Sequence, residues 1–141
     1  MNIKRGPLVF HNVVTKGISE ESFSLEELGE INLNLLKKGV FMTGPVIVEG
    51  EWGKGYQKVM IPMSQEIEFI EHASYSCDKL MQIEDGFFLR NGEEDFNEIG
   101  VRTLLEMVAQ DLEVELAEKY YCIILNVYGG KLYDIYVPIK K

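Results

Sequence analysis

Two stretches of the chain share an alternation of apolar and polar residues that ends in proline. The C-terminal stretch, YYCIILNV-YGG-KLYDIYVPI, contains two β-type runs around a Tyr-Gly-Gly turn, where glycine supplies the backbone conformations of a tight reversal. A weaker copy, GPVIVEGEWGKGYQKVMIPM, occupies residues 44–63, and its KVMIP aligns without a gap on DIYVP. The shared pattern predicts pseudo-repeats at about residues 1–70 and 71–141. Such a repeat determines a fold more strongly than local propensity does.

A segment with the period of an amphipathic helix precedes each of these hairpins. The first begins at a capping box formed by Ser24 and Glu27 and ends at Gly39. The second covers residues 97–117, and its apolar stripe consists of Val101, Leu104, Leu105, Val108, Leu112 and Leu116. The two equivalent apolar faces predict an α+β fold, in which duplicated β-α-β-β units form one mostly antiparallel sheet with two helices packed on one face.

Strands are also predicted ahead of each helix. Residues 8–15 are rich in β-branched residues, and residues 80–90 form the corresponding strand of the second unit. Within the latter, Glu84-Asp85-Gly86 is typical of a turn or bulge. A Ser-rich loop before residue 80 is expected to cross between the units.

The bulk composition bounds the classes of function. A chain of 141 residues with 46% hydrophobic residues fits one soluble globular domain, and its formal charge of −9 should repel nucleic acid and anionic membranes. The N-terminal segment does not resemble a signal peptide, and no apolar run approaches the ~20 residues of a membrane helix. We therefore expect a cytoplasmic protein.

The chain offers few residues for metal or redox chemistry. The wide separation of Cys77 and Cys122 fits neither a metal site nor a redox motif, so we expect two reduced structural thiols. His11 and His72 are the two histidines, and neither has a triad or metal-ligand context. We expect no metal, no cofactor and no catalytic residues.

The glycine-rich sequence GEWGKG lies between the two strands of the central hairpin. It lacks the spacing of a phosphate-binding loop and does not precede a helix, so a flexible hairpin loop is the better interpretation. Trp52, the one tryptophan, lies in this loop. It is either a packed lid or a platform for a ligand.

The last strand carries the clearest candidate for a binding contact. A period of two directs Tyr133, Ile135 and Val137 to one face, which we expect to be core, and Asp134 and Tyr136 to the other, which the helices leave open. A carboxylate beside aromatic rings suits an organic cation. The alternative is an exposed Asp134 that pairs with a nearby lysine, either Lys58 or Lys131. The candidate ligand-binding residues are Asp134, Tyr136, Trp52, Tyr121, Tyr133 and Glu49.

The duplicated pattern, with Ile-Pro or Val-Pro ending a strand in each half and YDIYVPIK at the end, resembles the GyrI-like superfamily. This superfamily contains the effector-binding domains of multidrug-sensing transcription regulators, and the chain is also similar to a DUF5085-type stand-alone branch. The resemblance implies about eight strands, two helices on one face, and a cleft between the halves for small, often cationic molecules. It also implies an anionic contact at Asp134, although this chain has the shorter Asp where the family often has Glu.

Three classes of function compete. The first is a stand-alone protein without a DNA-binding domain that binds a small molecule, with a lipophilic cation as the candidate ligand. The second is a protein-interaction module, such as an immunity, chaperone or adaptor partner, that uses its acidic surface. An enzyme is not expected, because no G-x-S-x-G or triad motif is present, and a hydrolase of the GyrI-like type is the minor alternative.

Overall fold

The structure is a computed structural model that describes residues 3–17, 39, 41–66, 75–92, 98–127 and 130–140. The elements in chain order are β1 (Ile3–Gly17), β2 (Val46–Glu51), β3 (Gly55–Pro62), β4 (Tyr75–Gly92), α1 (Glu98–Asp111), β5 (Glu115–Leu116), β6 (Lys119–Val127) and β7 (Gly130–Lys140). The predicted first helix at residues 24–39, apart from its last residue Gly39, lies outside the described residues. The connector before it and part of the Ser-rich crossing segment also lie outside them.

Six of the described strands close into an antiparallel β-barrel. Their order is β4-β1-β3-β2-β6-β7, and β7 pairs back with β4. The long strands β1 and β4 pair along most of their length, from Ile3 opposite Leu89 to Lys16 opposite Tyr75. The short strand β5 pairs with the end of β7, where Glu115 lies opposite Lys140.

The predicted fold class is wrong. In place of an open sheet with two helices on one face, the described strands form a closed barrel accompanied by α1. Closure follows from the β4–β7 ladder, which joins Phe87 to Val137 and Leu89 to Ile135. The face of β7 that was expected to stay open is therefore buried, and Tyr136 on that face is 0% exposed.

Closure gives the barrel wall two apolar faces. The inner cluster consists of Leu8, Val13, Ile47, Met60, Tyr121, Ile123 and Tyr136. The outer cluster consists of Val48, Phe87, Leu89, Val101, Leu105, Ala109, Tyr120, Cys122, Ile135 and Val137. Neighbours along one strand alternate between the clusters, as Tyr120 and Tyr121 do, because successive side chains of a strand point to opposite faces. The cluster that includes residues of α1 must be the outer one.

Helix α1 covers the outer cluster with Val101, Leu105 and Ala109, each of which is buried. The predicted helix is thus confirmed, but it ends at Asp111 instead of residue 117. Glu113 adopts a left-handed conformation (φ 56°), and the amide groups of Glu113 and Val114 donate to the carbonyls of Gln110 and Ala109. This pattern is a Schellman cap. This cap ends the helix and turns the chain away from the helix axis before Leu116, which lies in β5.

The two prolines that motivated the repeat occupy comparable pairings. Pro62 ends β3 opposite Val13 of β1, and Pro138 lies in β7 opposite Gly86 of β4. β3 lies between β1 and β2, while β7 lies between β4 and β6. The origin of the two halves by duplication stays a prediction.

The predicted bulge in the fourth strand is confirmed. The β1–β4 register shifts between Gly6, opposite Gly86, and Leu8, opposite Ile83. Glu84 and Asp85 of β4 thus lie opposite the single residue Pro7 of β1, which is the definition of a bulge. The shift keeps Ile83 and Phe88 on the same inner face.

None of the described helices is long and apolar enough to cross a lipid bilayer.

Candidate functional site

A cavity of about 350 Å³ lies at one mouth of the barrel, lined by Lys4, Phe88, Arg90 and Asp134. Three neighbouring strands supply these residues. Lys4 of β1 lies opposite Phe88 of β4, and Arg90 lies opposite Asp134 of β7. Phe88 packs against the inner cluster, and the period of two places Lys4 and Arg90 on the same face of the wall. The volume is at the lower end of the range for ligand cavities, about 300–1,000 Å³.

Arg90 holds the carboxylate of Asp134 with two hydrogen bonds. Nε donates to Oδ1 at 2.9 Å and Nη2 donates to Oδ2 at 3.2 Å. The hydrogen bonds and the charge of Asp134 raise the pKa of Arg90 above its ordinary value. The Asp134 side chain is 20% exposed, whereas that of Arg90 is 59% exposed. Asp134 thus carries a paired charge within the cavity wall.

Phe88 forms the apolar part of the cavity and is fixed from behind. Its ring packs on that of Tyr136, with 4.4 Å between the centroids and 58° between the planes. The Tyr136 hydroxyl donates to the carbonyl of Gly6 at 2.8 Å, and burial raises the pKa of Tyr136 to about 12, with a contribution from the charge of Asp85. Gly86 makes room for this ring, since a Cβ there would lie 2.4 Å from Cζ of Tyr136.

A second polar group lies further along the inner wall, away from Asp134. The hydroxyl of Tyr121 donates to Oε1 of the buried Glu49 at 2.9 Å. Lys119 and Lys58 each place Nζ 3.8 Å from a Glu49 oxygen, and both lysine side chains are 50% exposed. Burial, followed by the charge and hydrogen bond of Glu49, raises the pKa of Tyr121 above its ordinary range. A buried carboxylate is tolerated here because it accepts a hydrogen bond and faces two cations.

Trp52 lies on the outer side of the barrel. Its ring packs on Tyr120 with a centroid distance of 4.5 Å, its amide donates to the carbonyl of Glu118, and the guanidinium of Arg102 lies 5.8 Å from its ring. Part of the ring therefore packs against the protein, and a role for Trp52 as a platform for a ligand stays a prediction. Tyr133 also packs against the outer cluster.

The six predicted ligand-binding residues therefore occupy separate places. Asp134 lines the cavity, and Tyr136 supports it from behind. Glu49 and Tyr121 form the second polar group. Trp52 and Tyr133 lie on the other side of the wall.

Sequence reasoning missed Lys4, Phe88 and Arg90. The sequence indicated no role for Lys4, and it predicted residues 80–90, which include Phe88 and Arg90, only as a strand. The signal available was weak: Phe88 and Arg90 share a face at a spacing of two. Their relation to Asp134 depends on the β4–β7 register, which the local sequence does not specify. Arg90 pairs with Asp134, and Lys58, one of the two lysines suggested as its partner, faces Glu49. The side chain of Lys131, the other lysine, lies outside the described part of the chain.

The remaining chemically active side chains give no centre of their own among the described residues. Cys122 is buried and Cys77 is half-buried, and the two are not joined in a disulfide bond. Burial, followed by the charge of Asp134, raises the pKa of the Cys122 thiol to about 11, so it is protonated at neutral pH. Over the described ranges no group of three His, Cys, Asp or Glu residues is arranged to hold a metal ion.

Comparison with known protein families finds no match for this chain, and comparison with curated proteins finds no significant relative. The resemblance to the GyrI-like superfamily stays a prediction.

Proposed function

We propose that the chain is a small-molecule-binding domain whose ligand occupies the cavity at the mouth of the barrel. The observation that carries this proposal is the combination of an aromatic floor, Phe88, with the charged groups of Lys4, Arg90 and Asp134 around one cavity of about 350 Å³. Ligand sites typically combine an apolar surface with a few polar groups that orient the ligand.

The wall behind the cavity supports the proposal, because a preformed site lowers the entropy lost on binding. The ring of Phe88 packs on the ring of Tyr136, whose hydroxyl donates a hydrogen bond to the carbonyl of Gly6. Arg90 is held by Asp134 through two hydrogen bonds. The aromatic ring and the guanidinium group therefore keep their positions before a ligand arrives.

The lipophilic cation expected from the sequence stays a prediction, and the geometry argues against it. A cation that approaches Asp134 meets Arg90, which already binds both carboxylate oxygens. It also meets Lys4, whose charge repels it.

The experiment is a titration of the ¹⁵N-labelled protein with small aromatic compounds, followed by two-dimensional NMR. We expect shift changes concentrated in β1, β4 and β7 around the cavity. Phe88→Ala should abolish them, whereas Phe41→Ala, which alters a 52% exposed ring, should leave them unchanged. Shift changes scattered over the surface, or unaffected by Phe88→Ala, would contradict the proposal. Trp52 fluorescence is a poor reporter, because Trp52 packs on the outer side of the wall.

A protein-interaction module is the second candidate, and one observation favours it. Ile99 is 80% exposed and Met107 is 61% exposed on α1, two turns apart. The two side chains lie about 12 Å apart along the helix axis, and both point away from the face that packs on the barrel. A variant with Ile99→Ser and Met107→Ser retains the cavity, so loss of a protein partner with unchanged small-molecule binding would favour this function.

A further inference from the structure

We infer that the cavity selects a small aromatic carboxylate, which Arg90 and Lys4 bind through its carboxylate group while Phe88 contacts its ring. This inference rests on the proposed function and names the class of ligand. It assigns Asp134 the role of a positioning residue that orients Arg90.

The charges around the cavity carry the first step of the argument. Lys4 and Arg90 each contribute a positive charge and Asp134 contributes one negative charge, so the lining carries a net formal charge of +1. The chain as a whole carries −9, but salt screens distant surface charges over about 8 Å at physiological ionic strength. A ligand inside the cavity therefore responds mainly to the lining, which favours an anion.

The orientation of Arg90 carries the second step. Asp134 engages Nε and Nη2, which is the side of the guanidinium group. A guanidinium has five N–H donors, and this side-on pair uses two of them. The end formed by Nη1 and the second N–H of Nη2 thus keeps the fork geometry that matches a carboxylate. Asp134 fixes the plane in which that fork lies.

The position of Phe88 carries the third step. Its ring lines the same cavity as Arg90, and Tyr136 supports the ring on its other side. Aromatic rings prefer offset or edge-to-face contact with other rings. An anionic group bound by Arg90 would therefore leave the flat body of the same ligand against Phe88. The small volume favours one or two fused rings over a larger compound.

The test uses three compounds of matched shape: 2-naphthoate, the neutral 2-naphthylmethanol and the cation 2-naphthylmethylammonium. Dissociation constants are measured by NMR titration of the intact protein. We expect 2-naphthoate to bind most tightly, by about tenfold or more over the alcohol, because charge-assisted hydrogen bonds are the stronger ones. The cation should bind most weakly.

Substitutions then assign the contact. Arg90→Gln should weaken 2-naphthoate about ten- to a hundredfold and the alcohol by less than about threefold. Lys4→Gln should weaken 2-naphthoate selectively as well, and this exposed residue can change without loss of the fold. The matched control is Arg5→Gln, because Arg5 makes the same type of two-point contact with Asp85 (2.7 and 3.0 Å) on the outer side of the wall. Arg5→Gln should leave all three affinities unchanged.

The outcomes separate the two levels of the proposal. If none of the three compounds shifts the residues around the cavity, the proposed function itself is overturned. If the cation binds as tightly as 2-naphthoate, or if Arg90→Gln and Lys4→Gln weaken all three compounds equally, the site binds small molecules and the carboxylate inference is wrong.

Discussion

The hydroxyl of Tyr121 and the carboxylate of Glu49 meet at 2.9 Å directly across the β2–β6 strand pair, inside the barrel. Both residues are buried, at 7% exposure each. A buried carboxylate costs free energy unless donors face its oxygens, so the Tyr121 hydroxyl stabilises the barrel by making the position of Glu49 tolerable.

Tyr121→Phe should lower the free energy of unfolding by about 1–3 kcal/mol, because it removes the short hydrogen bond and leaves the buried Glu49 oxygen without that donor. Chemical denaturation of the two proteins measures the difference. Lys119→Gln is the control: this half-exposed lysine lies 3.8 Å from Glu49, and its loss should cost less than about 1 kcal/mol. Equal costs for both substitutions would show that the hydrogen bond has no special weight.

Alkaline pH should destabilise the protein through Tyr136. The raised pKa means that the folded state holds the phenolic proton more tightly than the unfolded state does. The stabilisation is fully present below the ordinary value of 10 and is lost as the pH rises towards about 12. Tyr136→Phe should flatten the fall in unfolding free energy between these pH values. Parallel pH curves for the two proteins would contradict this prediction.

Leu105→Ala should cost about 2–5 kcal/mol of unfolding free energy, because Leu105 is 0% exposed where α1 packs on the barrel. Met107→Ala in the same helix is the matched control, since Met107 is 61% exposed and should contribute less than about 0.5 kcal/mol. Chemical denaturation again measures both. A loss below about 0.5 kcal/mol for Leu105→Ala would mean that another face of α1 contacts the outer cluster.

Glu113→Gly should stabilise the protein by about 0.5–1 kcal/mol. Glu113 has φ 56°, a left-handed conformation that costs other residues free energy but that glycine adopts freely. Thermal unfolding tests the prediction, with Gln110→Gly as the control, because glycine inside the exposed part of a helix costs about 1 kcal/mol. If both glycine substitutions destabilise equally, the Schellman cap does not impose strain on Glu113.

Local elements could be predicted from the sequence because their signals are local. The apolar stripe located Val101 and Leu105 on the buried face of α1, and the period of two correctly sent Ile135 and Val137 to a buried face. The end of α1 was missed because the capping residue is Glu113, where a glycine would have given the signal. β4 was predicted too short, as its first residues fall in a Ser-rich segment with weak β propensity.

Closure of the barrel could not be predicted, because alternation along a strand shows that two faces differ and does not show what each face meets. Tyr136 was placed on an open face, and the β4–β7 ladder encloses that face. The same ladder explains why the sequence predicted only part of the candidate site. Arg90 and Asp134 are 44 residues apart, and their contact depends on a register that neither strand specifies alone.

The position of β7 in the barrel also bears on how the protein is synthesised. Until residues 130–140 leave the ribosome, β4 and β6 each keep a row of unpaired backbone groups, and such rows readily pair with strands of other chains. Folding must also wait for contacts between distant parts of the sequence, which slows it. A chain that stops before residue 130 could not close the barrel. The unpaired edges of β4 and β6 would then stay open to aggregation.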